Sequence, residues 1–208
     1  FPRGAIRQPF LAGQFTKLGL QLDAEFVERP YSYVNAPQEM PLEFYFVTVP
    51  DGPLTRAMTV LQPGDPIWVM RRPAGFLTLN EVPDARQLWM LATGTAIGPF
   101  LSILKTEEPW QRFERIVLVH AVRMAEELSF ADTIKAFADR HPRQFQFNPH
   151  GNRHGPVVGR GRIQKSLRVF FVVGGIDQHQ AGLAGDQLVG FDPLEVLCGE
   201  VHFAQRFS

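Results

Sequence analysis

Residues 91–99 read LATGTAIGP, and this stretch decides the fold class of the second half of the chain. Gln87 to Ala92 is predicted as a buried strand, and Pro99 to Lys105 as the helix that follows it. Gly94 allows a tight turn and Gly98 a close approach of the backbone, while the free N–H groups at the helix start can face a phosphate or the nicotinamide side of a cofactor. The stretch therefore predicts a strand–turn–helix unit that binds a nucleotide.

The same stretch departs from the dinucleotide-binding pattern Gly-x-Gly-x-x-Gly, because Thr95 stands at the second glycine position. A generic Rossmann site is therefore a poor description of it. An ordinary strand-to-helix turn without a ligand remains the alternative.

Strands and helices continue to alternate beyond this unit, which predicts a parallel sheet. Ile116 to His120 is predicted as the next strand, Ala125 to Arg140 as a second helix and Glu195 to Cys198 as a later strand. This part of the chain, residues 83–208, is predicted as an α/β nucleotide-binding domain.

The chain before Val82 has a different pattern, with short β-type runs separated by turns rich in Pro, Gly and Asp. Runs of this kind predict a small antiparallel barrel. One short helix is predicted within Leu54 to Leu61. The predicted fold is thus two-domain, with an antiparallel β-barrel at residues 1–82 and a parallel-sheet domain after it.

The composition limits the classes of partner. Basic and acidic residues balance at 21 each in 208 residues, so no global field favours nucleic acid or an anionic membrane. Cys198 is the only cysteine, which excludes an internal disulfide and a thiolate-held iron–sulfur cluster and fits a reducing cytoplasm. No apolar run approaches the roughly 20 residues of a membrane span, and the first residues do not form a signal peptide.

A metal site is not predicted. His150 and His154 are four residues apart, a spacing that on a helix would place two ligands on one face. Glycine and proline at Gly151, Gly155 and Pro156 predict a loop instead, and the segment lacks a carboxylate ligand.

A second candidate site is RPYS at residues 29–32, which closes a β-prone stretch. Arg29 offers a planar fork of donors suited to a pyrophosphate, Tyr31 an aromatic face that can lie on a flavin ring, and Ser32 a neighbouring hydroxyl. A strand end with an exposed Arg and a half-buried Tyr is the alternative. Taken alone, the tetrapeptide is a weak signal that is compatible with a flavin site but favours the ordinary strand end.

In order, spacing and flanking context, the two stretches resemble the bacterial ferredoxin-NADP reductases, also called flavodoxin reductases. The resemblance is dense from about Phe10 to Phe130 and sparse afterwards. It implies FAD and NADP(H) as cofactors, with Arg29 on the FAD pyrophosphate and Tyr31 against the isoalloxazine. It also implies flavin contacts at Phe46, Val47, Thr48, Pro53, Leu54 and Thr55, and contacts to both flavin and nicotinamide at Thr93, Gly94 and Thr95.

The strand ending at His120 leads into Arg123, whereas an NAD site usually has an acidic residue near the end of that strand. An Arg there favours a 2'-phosphate instead, and the resemblance places Arg123 at the NADP site. It further implies Asn152 with Arg153, and Arg162, as NADP contacts, although Asn152 replaces the family's Ser. Cys198 and Gly199 resemble the family's Cys-Gly segment near the nicotinamide. Solvated surface arginines and a buried structural Cys are the alternatives.

The function implied by the resemblance is hydride transfer from NADPH to FAD, followed by passage of single electrons to ferredoxin or flavodoxin. Ser32 and Cys198 are the candidate catalytic residues, and a cytoplasmic monomer is expected. Two alternatives stay open: an NADH-dependent flavin reductase component of an oxygenase, and a non-enzymatic remnant. The family's first barrel strand and C-terminal part are not recognisable, so the chain is expected to be truncated at both ends.

Overall fold

A computed structural model of the chain describes residues 9–152, 164–169 and 201–204. The strands are β1 (Phe15–Leu22), β2 (Glu25–Ser32), β3 (Leu42–Val47), β4 (Trp68–Val69), β5 (Gln87–Thr93), β6 (Arg115–Met124), β7 (Phe145–Asn152), β8 (Gln164–Val169) and β9 (Val201–Ala204). The helices are α1 (Pro53–Met58), α2 (Ile97–Leu104), α3 (Glu108–Arg112) and α4 (Ala131–Arg140), with 3-10 turns at Leu79–Glu81, Gly94–Ala96 and Ala125–Glu127.

The first half of the chain forms antiparallel sheet structure, as its sequence pattern predicts. β1 and β2 make a hairpin in which Phe15 lies opposite Ser32 and Leu22 opposite Glu25. Asp23 in the connecting turn has a φ of 49°, a left-handed conformation that Asp tolerates better than most residues. β4 extends this sheet on the other side of β1.

A second antiparallel sheet has the order β3-β8-β9. An isolated bridge between Tyr33 and Phe44 links β3 to the chain leaving β2. The described strands thus form two three-stranded antiparallel sheets and not a closed barrel. The predicted domain boundary near Val82 stays a prediction. Strand β8 follows Val82 in the chain but pairs with β3, which precedes it, so one sheet contains strands from both sides of the boundary.

The predicted parallel sheet is present, with the order β5-β6-β7 and all pairs parallel. β5 has alternating exposed and buried residues, and Leu88, Met90 and Ala92 point into the core that α2 and α4 also line. Among the described residues, no helix is long and apolar enough to cross a membrane.

β3 joins the two halves, since alternate side chains of a strand point to opposite faces. Phe44 and Phe46 pack into the core of the first sheet, while Tyr45 packs into the core of the parallel sheet. Two further contacts fix this junction. The buried Ser102 hydroxyl donates to the Asn35 carbonyl at 2.7 Å, and Lys105 forms a 3.4 Å ion pair with Glu43.

The prediction of a continuous helix from Ala125 to Arg140 is wrong. A 3-10 turn occupies Ala125–Glu127, Phe130 has a φ of 62°, and the helix begins only at Ala131. The Glu127 carboxylate accepts hydrogen bonds from the backbone N–H groups of Arg123 and Met124, at 3.1 and 3.4 Å. These bonds cap the start of the short turn, and the left-handed backbone of Phe130 interrupts the helical path before α4 begins.

The predicted loop beginning at His150 is also wrong over its first three residues, because β7 continues through Asn152. His150 pairs with Ala121 and Asn152 with Met124 on the neighbouring strand β6. Backbone pairing to an existing strand thus overrides the turn preference of Gly151. The rest of that predicted loop, from residue 153 to 156, and the predicted strand Glu195 to Cys198 lie outside the described residues.

Candidate functional site

A cavity of about 580 Å³ lies where the antiparallel part and the turn after β5 meet. It brings together residues from β2, from β3 and the segment that follows it, from α1, and from the Gly94–Ala96 turn. The sequence-predicted residues that line it are Arg29, Tyr31, Ser32, Phe46, Val47, Leu54, Thr55, Thr93 and Thr95. Three others, Thr48, Pro53 and Gly94, are chain neighbours of the lining residues but do not line it themselves.

The end of β2 supplies the cavity with a cation and an aromatic ring. Arg29 and Tyr31 are two residues apart on one strand and therefore share a face. The Arg29 guanidinium is exposed, and its Nη1 donates to the Glu28 carbonyl at 2.6 Å. Tyr31 makes an edge-to-face contact with Phe46, with ring centroids 6.2 Å apart. Burial raises the pKa of the Tyr31 hydroxyl, opposed by the positive charge of Arg29, so the ring stays neutral.

The Thr55 side chain fixes the segment before α1, which forms one wall of the cavity. Its buried hydroxyl oxygen accepts from the Val49 backbone N–H at 3.0 Å and lies 3.2 Å from the Gly52 carbonyl, to which it donates. Pro53 occupies the first turn of the helix, where the missing N–H costs nothing. The hydroxyl of Thr55 therefore shapes the loop around the cavity.

The turn after β5 forms the opposite wall. Gly94 has a φ of 51°, which puts this residue in the left-handed region and allows the strand to turn directly into α2. The Gly94 carbonyl lies 2.9 Å from Nε2 of His120, a fully buried side chain on β6. Burial lowers the pKa of His120, with the Gly94 hydrogen bond acting in the opposite direction. The sequence analysis did not single out this histidine as a site residue.

Tyr45 is a second site residue that the sequence analysis missed. Its ring lines the cavity and meets Phe130 edge-to-face, with centroids 5.1 Å apart, while its hydroxyl lies 2.8 Å from the Ser129 hydroxyl. Burial raises the pKa of Tyr45 to about 12, opposed by the Ser129 hydrogen bond. The neutral phenol thus connects β3 with the segment before α4. No local sequence pattern links Tyr45 to Ser129, which lies 84 residues away in the chain.

We expect Tyr45→Phe to lower the free energy of unfolding by about 1 kcal/mol, because it removes one hydroxyl hydrogen bond and keeps the ring packing. Ser129→Ala removes the other partner. In a double-mutant cycle measured by urea unfolding, the coupling energy of the pair is expected to be about 1 kcal/mol. Strictly additive effects would show that the hydroxyl pair contributes nothing.

The predicted NADP residues that can be placed lie at the carboxyl ends of neighbouring parallel strands. Arg123 is exposed near the end of β6, and Asn152 is the last residue of β7. Ligands of parallel α/β sheets bind at this edge. Arg153, Arg162, Cys198 and Gly199 lie outside the described residues. Within the described ranges, no cluster of three His, Cys, Asp or Glu side chains that could hold a metal ion is found.

A cavity on antiparallel strands thus meets the end of a strand in a parallel α/β unit, and nucleotides bind at the carboxyl ends of such strands. The profile of the family described as "Oxidoreductase NAD-binding domain" matches residues 90–187. Flavodoxin/ferredoxin–NADP reductases of Shigella flexneri and Escherichia coli K12 are 50% and 49% identical to this chain over 155 residues. The chain thus resembles the bacterial flavodoxin/ferredoxin–NADP reductases in sequence.

The alignments with these two relatives cover 73% of this chain and 62% of each relative, so the chain spans about three fifths of their length. A crystal structure of a ferredoxin NADP+ reductase from Neisseria gonorrhoeae with bound FAD and NADP is 37% identical. It superposes with a TM-score of 0.67 over 75% of this chain and 62% of its own. The likeness in structure therefore extends over the greater part of the chain.

Proposed function

We propose that the protein is a flavin-dependent oxidoreductase that passes a hydride from NADPH to FAD and then single electrons to ferredoxin or flavodoxin. One observation carries the proposal: the cavity gathers Arg29, Tyr31 and Ser32 from β2 with Thr93 at the end of β5 and Thr95 in the turn that follows. These two stretches are 60 residues apart in sequence and carry the two predicted nucleotide sites. Relatives that are about half identical are named flavodoxin/ferredoxin–NADP reductases, which supports the same activity.

The residues around the cavity fit FAD chemically. A flat aromatic ring system needs apolar and aromatic walls, which Tyr31, Phe46 and Val47 supply. A pyrophosphate needs a cation at the solvent edge, and the exposed guanidinium of Arg29 meets this need with several N–H donors. Hydroxyl groups at Ser32 and Thr95 offer further polar contacts.

When bound, FAD supplies the chemistry that accepts a hydride and releases electrons singly. The chain's own residues bind and orient. Arg29 neutralises the pyrophosphate, Tyr31 packs against the ring system, and the turn at Thr93, Gly94 and Thr95 borders the place where the nicotinamide enters. No side chain has to act as an acid or base in the hydride step itself.

Arg123 is proposed to bind the 2'-phosphate that distinguishes NADPH from NADH. Its exposed position at the carboxyl end of β6 and the neighbouring end of β7 at Asn152 support this assignment. Arg153 and Arg162 are proposed to add to the same phosphate contact, and Cys198 with Gly199 to lie near the nicotinamide. An NADH-dependent flavin reductase would not need a cation at residue 123, because NADH has no 2'-phosphate.

We further propose that residues 1–82 and 83–208 correspond to a β-barrel FAD domain and an NADP domain, and that the protein acts as a cytoplasmic monomer. The change from antiparallel to parallel sheet along the chain supports the two domains, and the single cysteine fits a reducing compartment. Sedimentation of the FAD-loaded chain tests the monomer, since a dimer would sediment as a species of twice the 23.5 kDa chain mass.

Ser32→Ala is expected to slow flavin reduction about 3- to 10-fold, which is the loss of one neutral hydrogen bond expressed as a rate. Ser32 lies at the end of β2 in the cavity wall, where its hydroxyl can meet the polar edge of the flavin. The rate is measured by anaerobic stopped flow at saturating NADPH, with FAD content determined for each sample. Ser32→Thr keeps a hydroxyl and is the matched control. An alanine variant with full FAD content and the wild-type rate would exclude this role.

The proposed activity is tested by following reduction of a bacterial flavodoxin or ferredoxin by the FAD-loaded chain. We expect electrons to reach the carrier with NADPH and much more slowly with NADH. Equal or better rates with NADH would favour the flavin-reductase alternative, and transfer with neither nucleotide would favour the non-enzymatic one.

A further inference from the structure

His120 is hydrogen-bonded to the Gly94–Ala96 turn, which borders the cavity. It lies on β6 opposite Ala92 of β5, one strand away from the turn at Gly94–Ala96, and is completely shielded from solvent. Its Nε2 is 2.9 Å from the Gly94 carbonyl oxygen. Its Nδ1 is also buried and has no hydrogen-bond partner among the described residues. A buried polar side chain with an unpartnered nitrogen next to this turn requires a physical explanation.

The hydrogen bond determines which ring nitrogen carries the proton. A carbonyl oxygen can only accept, so Nε2 must carry hydrogen and donate to Gly94. In the neutral ring, Nδ1 then has only an unpaired acceptor, whereas a second proton would create a buried N–H without a partner. A buried donor without an acceptor is costly, which favours the neutral form with Nε2–H. Burial lowers the pKa of His120, in agreement with this argument.

The same bond orients the peptide between Gly94 and Thr95. In a trans peptide the C=O and the following N–H point in opposite directions. Because the Gly94 carbonyl points at His120, the Thr95 N–H points away from His120. Thr95 itself lines the cavity, and Gly94 before it has a φ of 51°. A β-sheet side chain thus controls the direction of a backbone donor at the site.

We propose that His120 is a positioning residue that holds the Gly94–Thr95 peptide with its N–H directed to the cavity, ready to donate to an acceptor oxygen of a bound cofactor. The proposal rests on the proposed function for the identity of that cofactor. His120 acts through Gly94 and does not itself contact the ligand. A donor at the position of Nε2 is required, and the imidazole ring as such is not.

Two substitutions distinguish the effect of the His120 hydrogen-bond donor from the effect of its side-chain packing. His120→Gln places an amide N–H near the position of Nε2, while His120→Leu keeps an apolar side chain of similar bulk without a donor. We expect His120→Leu to slow flavin reduction at saturating NADPH about tenfold, and His120→Gln to restore it to within about threefold of wild type. A role limited to stability would lower the melting temperature of both variants and leave the rate of the folded, FAD-loaded protein unchanged.

A second measurement does not require any cofactor. In the cofactor-free chain uniformly labelled with ¹⁵N, the His120 ring is expected to show a neutral Nε2–H at pH 7. The Thr95 backbone amide signal should shift in His120→Leu and return toward wild type in His120→Gln. A ring protonated on Nδ1 or on both nitrogens, or a Thr95 signal unaffected by loss of the donor, would overturn the proposal.

The two measurements also separate this proposal from the proposed function. A wild-type chain that shows the Nε2–H bond and the Thr95 response but cannot be reduced by NADPH supports the positioning of the turn and contradicts the oxidoreductase activity. A chain that is reduced by NADPH at the same rate in wild type and His120→Leu supports the activity and contradicts the role of His120.

Discussion

Replacing Arg29 with alanine is expected to weaken FAD binding roughly 10- to 100-fold, the loss of a charge-assisted hydrogen bond of about 1.5–3 kcal/mol. The guanidinium is exposed at the edge of the cavity, where a pyrophosphate can reach it. Its one described hydrogen bond, to the Glu28 carbonyl, is local, so its removal leaves the fold in place. The binding constant is measured by calorimetric titration with FAD at a fixed salt concentration.

Two control variants sharpen this experiment. Arg29→Lys keeps the charge but loses the planar fork of donors, so an intermediate affinity is expected. Arg140→Ala removes an equally exposed arginine from the end of α4, away from the cavity, and should bind FAD like wild type. Equal affinities of the Arg29→Ala and Arg140→Ala variants would show that the pyrophosphate does not bind at Arg29.

Replacing Arg123 with alanine is expected to reduce the preference for NADPH over NADH, given as the ratio of the two kcat/KM values, roughly 10- to 100-fold. A phosphate dianion loses a cationic donor, whereas NADH has no group at this position to lose. The change should therefore appear as a higher KM for NADPH with little change for NADH. Steady-state diaphorase assays with both nucleotides provide the four constants.

Arg115 offers a matched control for Arg123, because it is an exposed arginine at the amino end of the same strand. Nucleotides bind at the carboxyl ends of parallel strands, so Arg115→Ala should keep the wild-type preference. FAD content should stay unchanged in both variants. An unaltered preference in Arg123→Ala would contradict the assignment of the 2'-phosphate to this side chain.

The elements that border the site could be predicted from sequence where local pattern and tertiary structure agree. The β5–turn–α2 unit combines an apolar strand, a glycine in the left-handed region and an apolar helix, and each signal is local. The gathering of Arg29 and Tyr31 with Thr93 around one cavity was expected only through the family resemblance. No local signal brings residues so far apart in sequence together.

The parts that escaped prediction depend on contacts between distant residues. The Tyr45–Ser129 hydroxyl pair spans 84 residues and the His120–Gly94 bond spans 26. The predicted helix from Ala125 onward is interrupted at Phe130, which has a left-handed backbone and whose ring packs edge-to-face on the distant Tyr45. The end of β7 contains turn-type residues that only pairing with β6 holds extended. In each case contacts between residues far apart in sequence determine the local conformation, and a local sequence pattern does not show which distant residues will meet.

The central claim is that one cavity of this chain binds FAD where NADPH can reduce it. It is tested most directly by recording the visible absorption of the purified full chain after addition of FAD and removal of excess cofactor, and then adding NADPH without oxygen. We expect a protein-bound flavin spectrum that bleaches with NADPH much faster than with NADH. A colourless protein that retains no FAD, or a bound flavin that NADPH leaves oxidised, would contradict the proposed function.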